Sequence, residues 1–218
     1  MNWRKRILYF LFDLLYHPFA WAYDFVAAIV SLNSWQKWVT SIIPFLPGET
    51  VLELGCGTGY LMRALRSSRK IIGIDLSPQM IRQTRKRVNI HNNAFPFLIQ
   101  ADGRAIPLKK ETFDHVVATF PAPYLFEEAT LRSVQFALKP GGSMVVLLSA
   151  VPPLISPLEH IHSWVMRKGG VFEASQVFFN IIREKAQQAG LTPVHLEWTP
   201  CLSGKILVLV AVKSVQTC

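Results

Sequence analysis

Cysteine is scarce in this chain. Cys56, Cys201 and Cys218 are the only three in 218 residues, they stand far apart, and no CxxC pair occurs. An odd, scattered set excludes a disulfide framework, speaks against a structural zinc site and suits a reducing, cytoplasmic compartment. Charge is sparse too, at 17% of residues, and acids are the minority: 14 against 23 lysines and arginines, a net +9. Half of the residues are hydrophobic, so the chain is not a disordered one. No internal repeat or low-complexity tract interrupts it. What remains is one generous domain, or one domain with an extension, able to bury ~70% of its unfolded surface without staples.

The positive charge is concentrated. Residues 61–90 hold Arg63, Arg66, Arg69, Lys70, Arg82, Arg85, Lys86 and Arg87 against a single acid, Asp75. Such a cluster attracts nucleic acid, anionic lipid or an acidic ligand, or is simply the solvated face of an arginine-rich helix. Charge alone does not choose among them.

From residue 50 onward short apolar runs alternate with amphipathic ones, the pattern of a mostly parallel sheet wrapped by helices. Strands are predicted over Thr50–Leu54, Lys70–Asp75, Phe97–Ala101, Phe113–Phe120 and Met144–Ser149. Helices are predicted over Tyr60–Ser68, from Ser77 as cap and Pro78 as first turn to about Asn89, and over Glu127–Leu138. Lys139-Pro140-Gly141-Gly142 reads as the turn that stops the last of these. Residues 151–174, with Pro152, Pro153, Pro157 and Gly169-Gly170, read as a lid insertion. Ser175–Ala189 is again helical, with Gly190 placed to end it. Thr192–Trp198 and Lys205–Val212 are then two strands joined by Thr199–Gly204, short enough to force an antiparallel hairpin.

Residues 1–49 form a separate segment. Ile7–Val30 is apolar and aromatic but carries Asp13, His17, Pro18 and Asp24. Each central aspartate costs ~2.5–3.5 kcal/mol in a spanning helix, and Pro18 breaks the run. Ala20-Trp21-Ala22 imitates a cleavage site, yet the uninterrupted apolar stretch lasts only from Ile7 to Phe12. The expectation is two short helices that either cap the domain or lie on a membrane surface. Trp3 and Arg4-Lys5-Arg6 make residues 1–22 suited to the second role.

The chemistry is concentrated in Val51-Leu52-Glu53-Leu54-Gly55-Cys56-Gly57-Thr58-Gly59-Tyr60. Glycines at a strand-to-helix turn let a ligand approach the backbone, beside the positive end of the next helix. Taken alone, the loop could be a tight structural turn or a dinucleotide site. Three features narrow it. The spacing is GxGxG with Glu53 two residues ahead, and a carboxylate there repels a pyrophosphate but attracts an ammonium group. Asp75 ends the second strand, twenty residues after Gly55, where an acid can accept from ribose hydroxyls. Asp102 ends the third strand, beside Gly103, where a carboxylate can accept an adenine N–H. The implied ligand carries an amine, a carboxylate, a ribose and an adenine without phosphate, which describes S-adenosylmethionine.

In that order and at ordinary spacing, VLELGCGTGY, IIGIDLSPQM, QADGRAIPL, FDHVVATF and LKPGGSMVVLL resemble the class I S-adenosylmethionine-dependent methyltransferases. The likeness is greatest to the small-molecule branch that includes quinone-biosynthesis enzymes. It covers residues 50–150 strongly and residues 175–213 by their helix-and-hairpin ending. It implies a Rossmann-like, doubly wound, seven-stranded α/β sheet with a C-terminal antiparallel hairpin. It further implies that Gly55, Gly57 and Gly59 line the methionine end of the cofactor, with Glu53 near its amino group. Asp75 would hold the ribose, Leu76 and Met80 would pack near adenosine, Asp102 and Gly103 would bind adenine, and Phe120 would stand beside the transferred methyl.

Methyl transfer is an in-line displacement for which the protein aligns two reactants and excludes water. His160, His162 and Tyr124 are the candidate bases, and none is assigned. Phe120-Pro121-Ala122-Pro123-Tyr124 distantly resembles the Asn-Pro-Pro-Tyr motif of amino-methylating nucleic-acid enzymes, but Phe120 lacks the side-chain oxygen that such chemistry uses. The expected reaction is methyl transfer to a small apolar acceptor, with nucleic acid disfavoured and no metal. The alternatives are an RNA methyltransferase, a non-catalytic S-adenosylmethionine-binding protein, or a nicotinamide oxidoreductase that Glu53 and the glycine spacing disfavour.

Overall fold

The computed structural model describes residue 31 and residues 34–88, 97–153 and 176–215. The expected N-terminal helices, including residues 1–22, and all but the first three residues of the 151–174 lid lie outside these. So do His160 and His162. Among the described residues no helix is long and apolar enough to cross a membrane.

Seven strands form one sheet: β1 (Thr50–Leu54), β2 (Lys70–Asp75), β3 (Phe97–Gln100), β4 (Phe113–Thr119), β5 (Leu138–Val151), β6 (Leu191–Cys201) and β7 (Gly204–Lys213). Their order is β3-β2-β1-β4-β5-β7-β6. The first five run parallel, and β7 lies antiparallel between β5 and β6. The described helices are α1 (Trp35–Thr40), α2 (Tyr60–Leu65), α3 (Pro78–Val88), α4 (Glu128–Ala137) and α5 (Gln176–Gln188). This is the doubly wound, mostly parallel sheet with a C-terminal hairpin that the pattern predicts.

Alternation along each strand divides the core between the two faces. Leu52, Val116 and Val146 pack with Leu131 and Val134 of α4 and Ile182 of α5. Their neighbours Val51, Val117 and Val145 pack on the opposite side with Trp38, Leu61 and Ile81 from α1, α2 and α3. The result is three layers with both sheet faces covered, as a parallel sheet requires.

Local signals set several boundaries. The Ser77 hydroxyl accepts from the Met80 N–H at 3.3 Å at the start of α3, and Gly190 turns to φ +77° after α5. Two expectations need correction. Lys139–Gly142 is not a turn outside the sheet: β5 begins at Leu138, and pairing with β4 jumps from Phe113↔Leu138 to His115↔Ser143 across an irregularity that absorbs the extra residues. The hairpin turn is also shorter than expected, because β6 continues through Pro200 to Cys201, paired with Gly204. β6 is an edge strand, where proline sacrifices no necessary ladder bond.

At the amino ends of β1 and β4 a polar knot ties the sheet together. Asp114 Oδ2 accepts from the N–H groups of Glu49 and Thr50 and from the Thr50 hydroxyl, at 3.0, 2.9 and 2.7 Å. Lys139 Nζ donates to Asp114 Oδ1 at 2.7 Å. Burial works against the charge on Asp114, but Lys139 and Thr50 outweigh it and hold the carboxyl far below its usual range. Beside it, His115 Nε2 accepts from the Gly48 N–H at 2.9 Å and Nδ1 meets Ser143 Oγ at 2.8 Å.

Candidate functional site

The sheet order reverses direction between β1 and β4, which places a crevice at the carboxyl ends of those strands. A cavity of about 530 Å³ opens there, bordered by the β1–α2 loop and by the segments that follow β2, β3 and β4. Moving across the sheet from β3, its wall carries Asp102 and Gly103, then Asp75 and Leu76, then Glu53 with Gly55, Gly57 and Gly59, then Phe120. Nine of the ten sequence-predicted contact residues therefore share one cavity. Met80 does not line it. It belongs with Ile81, Thr84 and Val88 to the buried face of α3, so its side chain is spent on the core.

Gly55, Gly57 and Gly59 all adopt positive φ, at 67°, 53° and 82°, which is why this turn is written in glycine. Asp75 secures the turn from β2: its Oδ2 accepts from the Gly57 N–H at 2.9 Å and its Oδ1 from the Ser77 N–H at 2.8 Å. Glu53 is 1% exposed, and its Oε2 has no hydrogen-bond partner among the described residues. Burial, and then the neighbouring Asp75, push its carboxyl well above the ordinary range, with the Met62 backbone opposing. A buried carboxylate oxygen left unpaired is costly, and a bound cationic group would satisfy it. Burial also pushes the Cys56 thiol well up, reinforced by Glu53 and Asp75, so Cys56 is no nucleophile.

Asp102 is less free than the sequence suggests. Its Oδ1 accepts from the Arg104 N–H at 2.9 Å, and Arg104 Nη1 stands 3.1 Å from its Oδ2. Arg104 reaches on to Glu127 at 2.7 Å and lies 5.5 Å from the centre of the Tyr124 ring. Tyr124 closes this end: a Cβ on Gly103 would stand 3.1 Å from its ring, and one on Gly55 3.4 Å from its hydroxyl.

The other end is aromatic. Phe120 follows β4 with φ +48°, a left-handed conformation that costs a non-glycine residue ~1 kcal/mol or more. Its N–H donates to the Leu147 carbonyl at 2.8 Å, and its ring stacks on Trp35. Trp35 and Val39 of α1 join the wall. The sequence assigned the segment containing them to a cap without singling out either, because nothing local marks them.

A family model for the methyltransferase domain matches residues 51–142. The ubiquinone/menaquinone biosynthesis C-methyltransferase of Escherichia fergusonii is 30% identical over 153 residues, 66% of this chain and 61% of the relative. Its counterpart in Salmonella arizonae is 31% identical over the same shares. Over residues 51–142 this chain matches the methyltransferase domain, in line with the class I S-adenosylmethionine-dependent family that its motifs resemble. It spans 61% of the length of the curated relatives it matches. Solved methyltransferases share its fold. A SAM-dependent methyltransferase from Thermotoga maritima superposes with a TM-score of 0.61 at 20% identity, over 93% of this chain and 99% of that one. The magnesium protoporphyrin IX methyltransferase of Synechocystis, solved with bound SAH, gives 0.54 at 20% identity over 82% and 83%. The residues of the cavity fit the cofactor of such a domain: an orphaned carboxylate oxygen for an ammonium, a glycine turn for close approach, and an acid at the end of β2.

Proposed function

We propose that this protein is an active methyltransferase whose acceptor is a small, apolar and planar molecule. The observation that carries the reading is the change of character across the cavity. The wall below β1, β2 and β3 presents Glu53, Asp75 and Asp102, whereas the wall at β4 and α1 presents Phe120, Trp35 and Val39. The polar end suits an adenosyl cofactor and the aromatic end a flat lipophilic acceptor. The quinone-biosynthesis relatives support the same class of acceptor at low identity.

S-adenosylmethionine, when bound, supplies a methyl group activated by a sulfonium. The chain supplies placement. In this reading Glu53 and the turn at Gly55, Gly57 and Gly59 receive the methionine end, and Asp75 accepts from the ribose. Leu76 lies over the adenosine, while Met80 supports that end from the core through its bond to the Ser77 hydroxyl. Asp102, oriented by Arg104, and Gly103 face the adenine. Phe120 and Trp35 orient the acceptor and exclude water, as displacement at a sulfonium methyl requires. No base is assigned, although Tyr124 stands in the wall.

Residues 1–22 complete the proposal. Trp3 and the cations Arg4, Lys5 and Arg6, directly before Ile7–Phe12, would hold the enzyme reversibly at an anionic membrane surface where lipophilic acceptors reside. The decisive experiment incubates the full chain with methyl-labelled S-adenosylmethionine and a lipid extract, then identifies labelled products by mass spectrometry. A methylated small lipophilic product is expected. Label transferred only to RNA, with salt-dependent binding, would replace this reading with the RNA-modifying one.

A further inference from the structure

The glycine turn is gripped from outside the cavity by α3. The Thr84 hydroxyl, on a fully buried side chain, donates to the Gly57 carbonyl at 2.6 Å. One turn of helix later, Arg87 Nη1 donates to the Thr58 carbonyl at 2.5 Å. The Arg87 guanidinium also lies 4.0 Å from the centre of the Tyr60 ring, a cation–π contact that fixes its direction. From β2, Asp75 takes the Gly57 N–H. Gly57 is therefore held at both its amide and its carbonyl. Space is as tight as the bonding: a Cβ on Gly59 would stand 2.6 Å from Thr84 Cγ2.

In a planar trans peptide the carbonyl and the following N–H point in opposite directions. Anchoring the carbonyls of Gly57 and Thr58 on α3 therefore turns the Thr58 N–H away from that helix and keeps the Gly59 N–H on the Cys56 carbonyl, at 2.9 Å, closing the turn. Glycine at 57 would otherwise let its plane flip at little cost. A flipped plane would turn a carbonyl oxygen toward ground that Glu53 and Asp75 already make acidic.

We propose that Thr84 and Arg87 are positioning residues for the cofactor, locking two peptide planes of the turn in the orientation that receives its methionine end. The inference rests on the cofactor placement proposed above. Neither side chain lines the cavity, so both act through the turn.

The test is calorimetric titration of the full chain with S-adenosylhomocysteine and, separately, with 5′-methylthioadenosine, which lacks the amino-acid end. Thr84→Val keeps the branched shape and deletes the donor. It should weaken S-adenosylhomocysteine about tenfold, the usual value of one buried hydrogen bond, and change methylthioadenosine by less than about twofold. Thr84→Ser keeps the donor and should bind both ligands like the unaltered chain. Arg87→Met, at a half-buried position, should show the same selective loss and carries the test if Thr84→Val does not fold. Unchanged affinity in both variants, or equal losses for the two ligands, would overturn the proposal. An unaltered chain that binds neither ligand would overturn the cofactor placement itself, and the positioning role with it.

Discussion

The indole of Trp35 stacks on the ring of Phe120, with centroids 4.4 Å apart and planes inclined by 26°. The two residues come from α1 and from the end of β4, 85 positions apart, and they meet at the cavity wall. Phe120 holds a left-handed backbone to do so. Removing its partner, as in Trp35→Ala, should raise the acceptor KM about tenfold, since the stack and its buried area are together worth ~1–2 kcal/mol. Affinity for S-adenosylhomocysteine should stay within about twofold of the unaltered chain. Steady-state kinetics with an identified acceptor, beside calorimetry, check both halves.

Asp75 serves the turn and, in the proposed placement, the ribose. Asp75→Ala should weaken S-adenosylhomocysteine by more than about tenfold, because charge-assisted hydrogen bonds are worth ~1.5–3 kcal/mol. Asp102→Ala should cost less, since Arg104 already shares that carboxylate and the Gly103 backbone remains. Equal affinity in a folded Asp75→Ala protein would remove the acid from the ligand site.

Glu53 links stability to binding. Its carboxyl is pushed up by burial and then by Asp75. A folded pKa above the unfolded one gives stability below the unfolded value that is lost as pH rises through the folded one. Glu53→Gln should therefore raise Tm at neutral pH, by about 2–4 °C for each kcal/mol relieved. The same substitution should weaken a ligand bearing an ammonium. In the unaltered chain, binding such a ligand favours the ionised carboxylate and should release protons, visible as a dependence of calorimetric heat on buffer ionisation enthalpy. Glu53→Gln should abolish that dependence.

His115 predicts a pH effect far from the cavity. Burial lowers its pKa below the ordinary imidazole value, with Asp114 opposing and Arg69 assisting. The Gly48 N–H donates to Nε2, so the ring must stay neutral and carry its proton on Nδ1, toward Ser143. The group is protonated sooner in the unfolded chain than in the folded one. Its stabilisation is thus present above the unfolded pKa and lost as pH falls below it. The urea midpoint should drop as pH falls below about 6.5, and His115→Gln should flatten that limb. A second loss, below about pH 4, belongs to Asp114, whose lowered pKa gives the same sign at its own position.

The strands of the parallel half were legible because each writes its burial as a short apolar run, and β1 and β2 begin and end where expected. The ends of β5, β6 and β7 were not. Thr199–Gly204 reads as the hairpin loop until β6 is seen to run on to Cys201 as an edge strand that tolerates Pro200, and Pro140-Gly141-Gly142 reads as a turn until β4 supplies a partner across the irregularity. The residues brought together at the cavity followed from strand-end positions, which topology dictates. Trp35 and the Arg104 pairing with Asp102 depend on elements far apart in sequence or on a side-chain choice that no spacing records. Met80 shows a related limit: its place in the sequence put it near the adenosine, whereas helical periodicity turns its side chain from α3 to the core rather than to the cavity wall.

Trp38 Nε1 donates to the Ser203 carbonyl at 2.7 Å, across 165 positions of chain. α1, which carries Trp35 to the cavity, is thus moored to the tip of the last hairpin. β7 is also inserted between two strands that precede it in the sequence, so β6 has no neighbour until β7 emerges. On the ribosome, the glycine turn and its acids can form early, while the aromatic wall must wait until residue 203 has emerged. Nascent chains released before residue 203 should therefore hold an adenosyl ligand poorly ordered at its acceptor side, because that wall is completed only once the β6–β7 hairpin has been made.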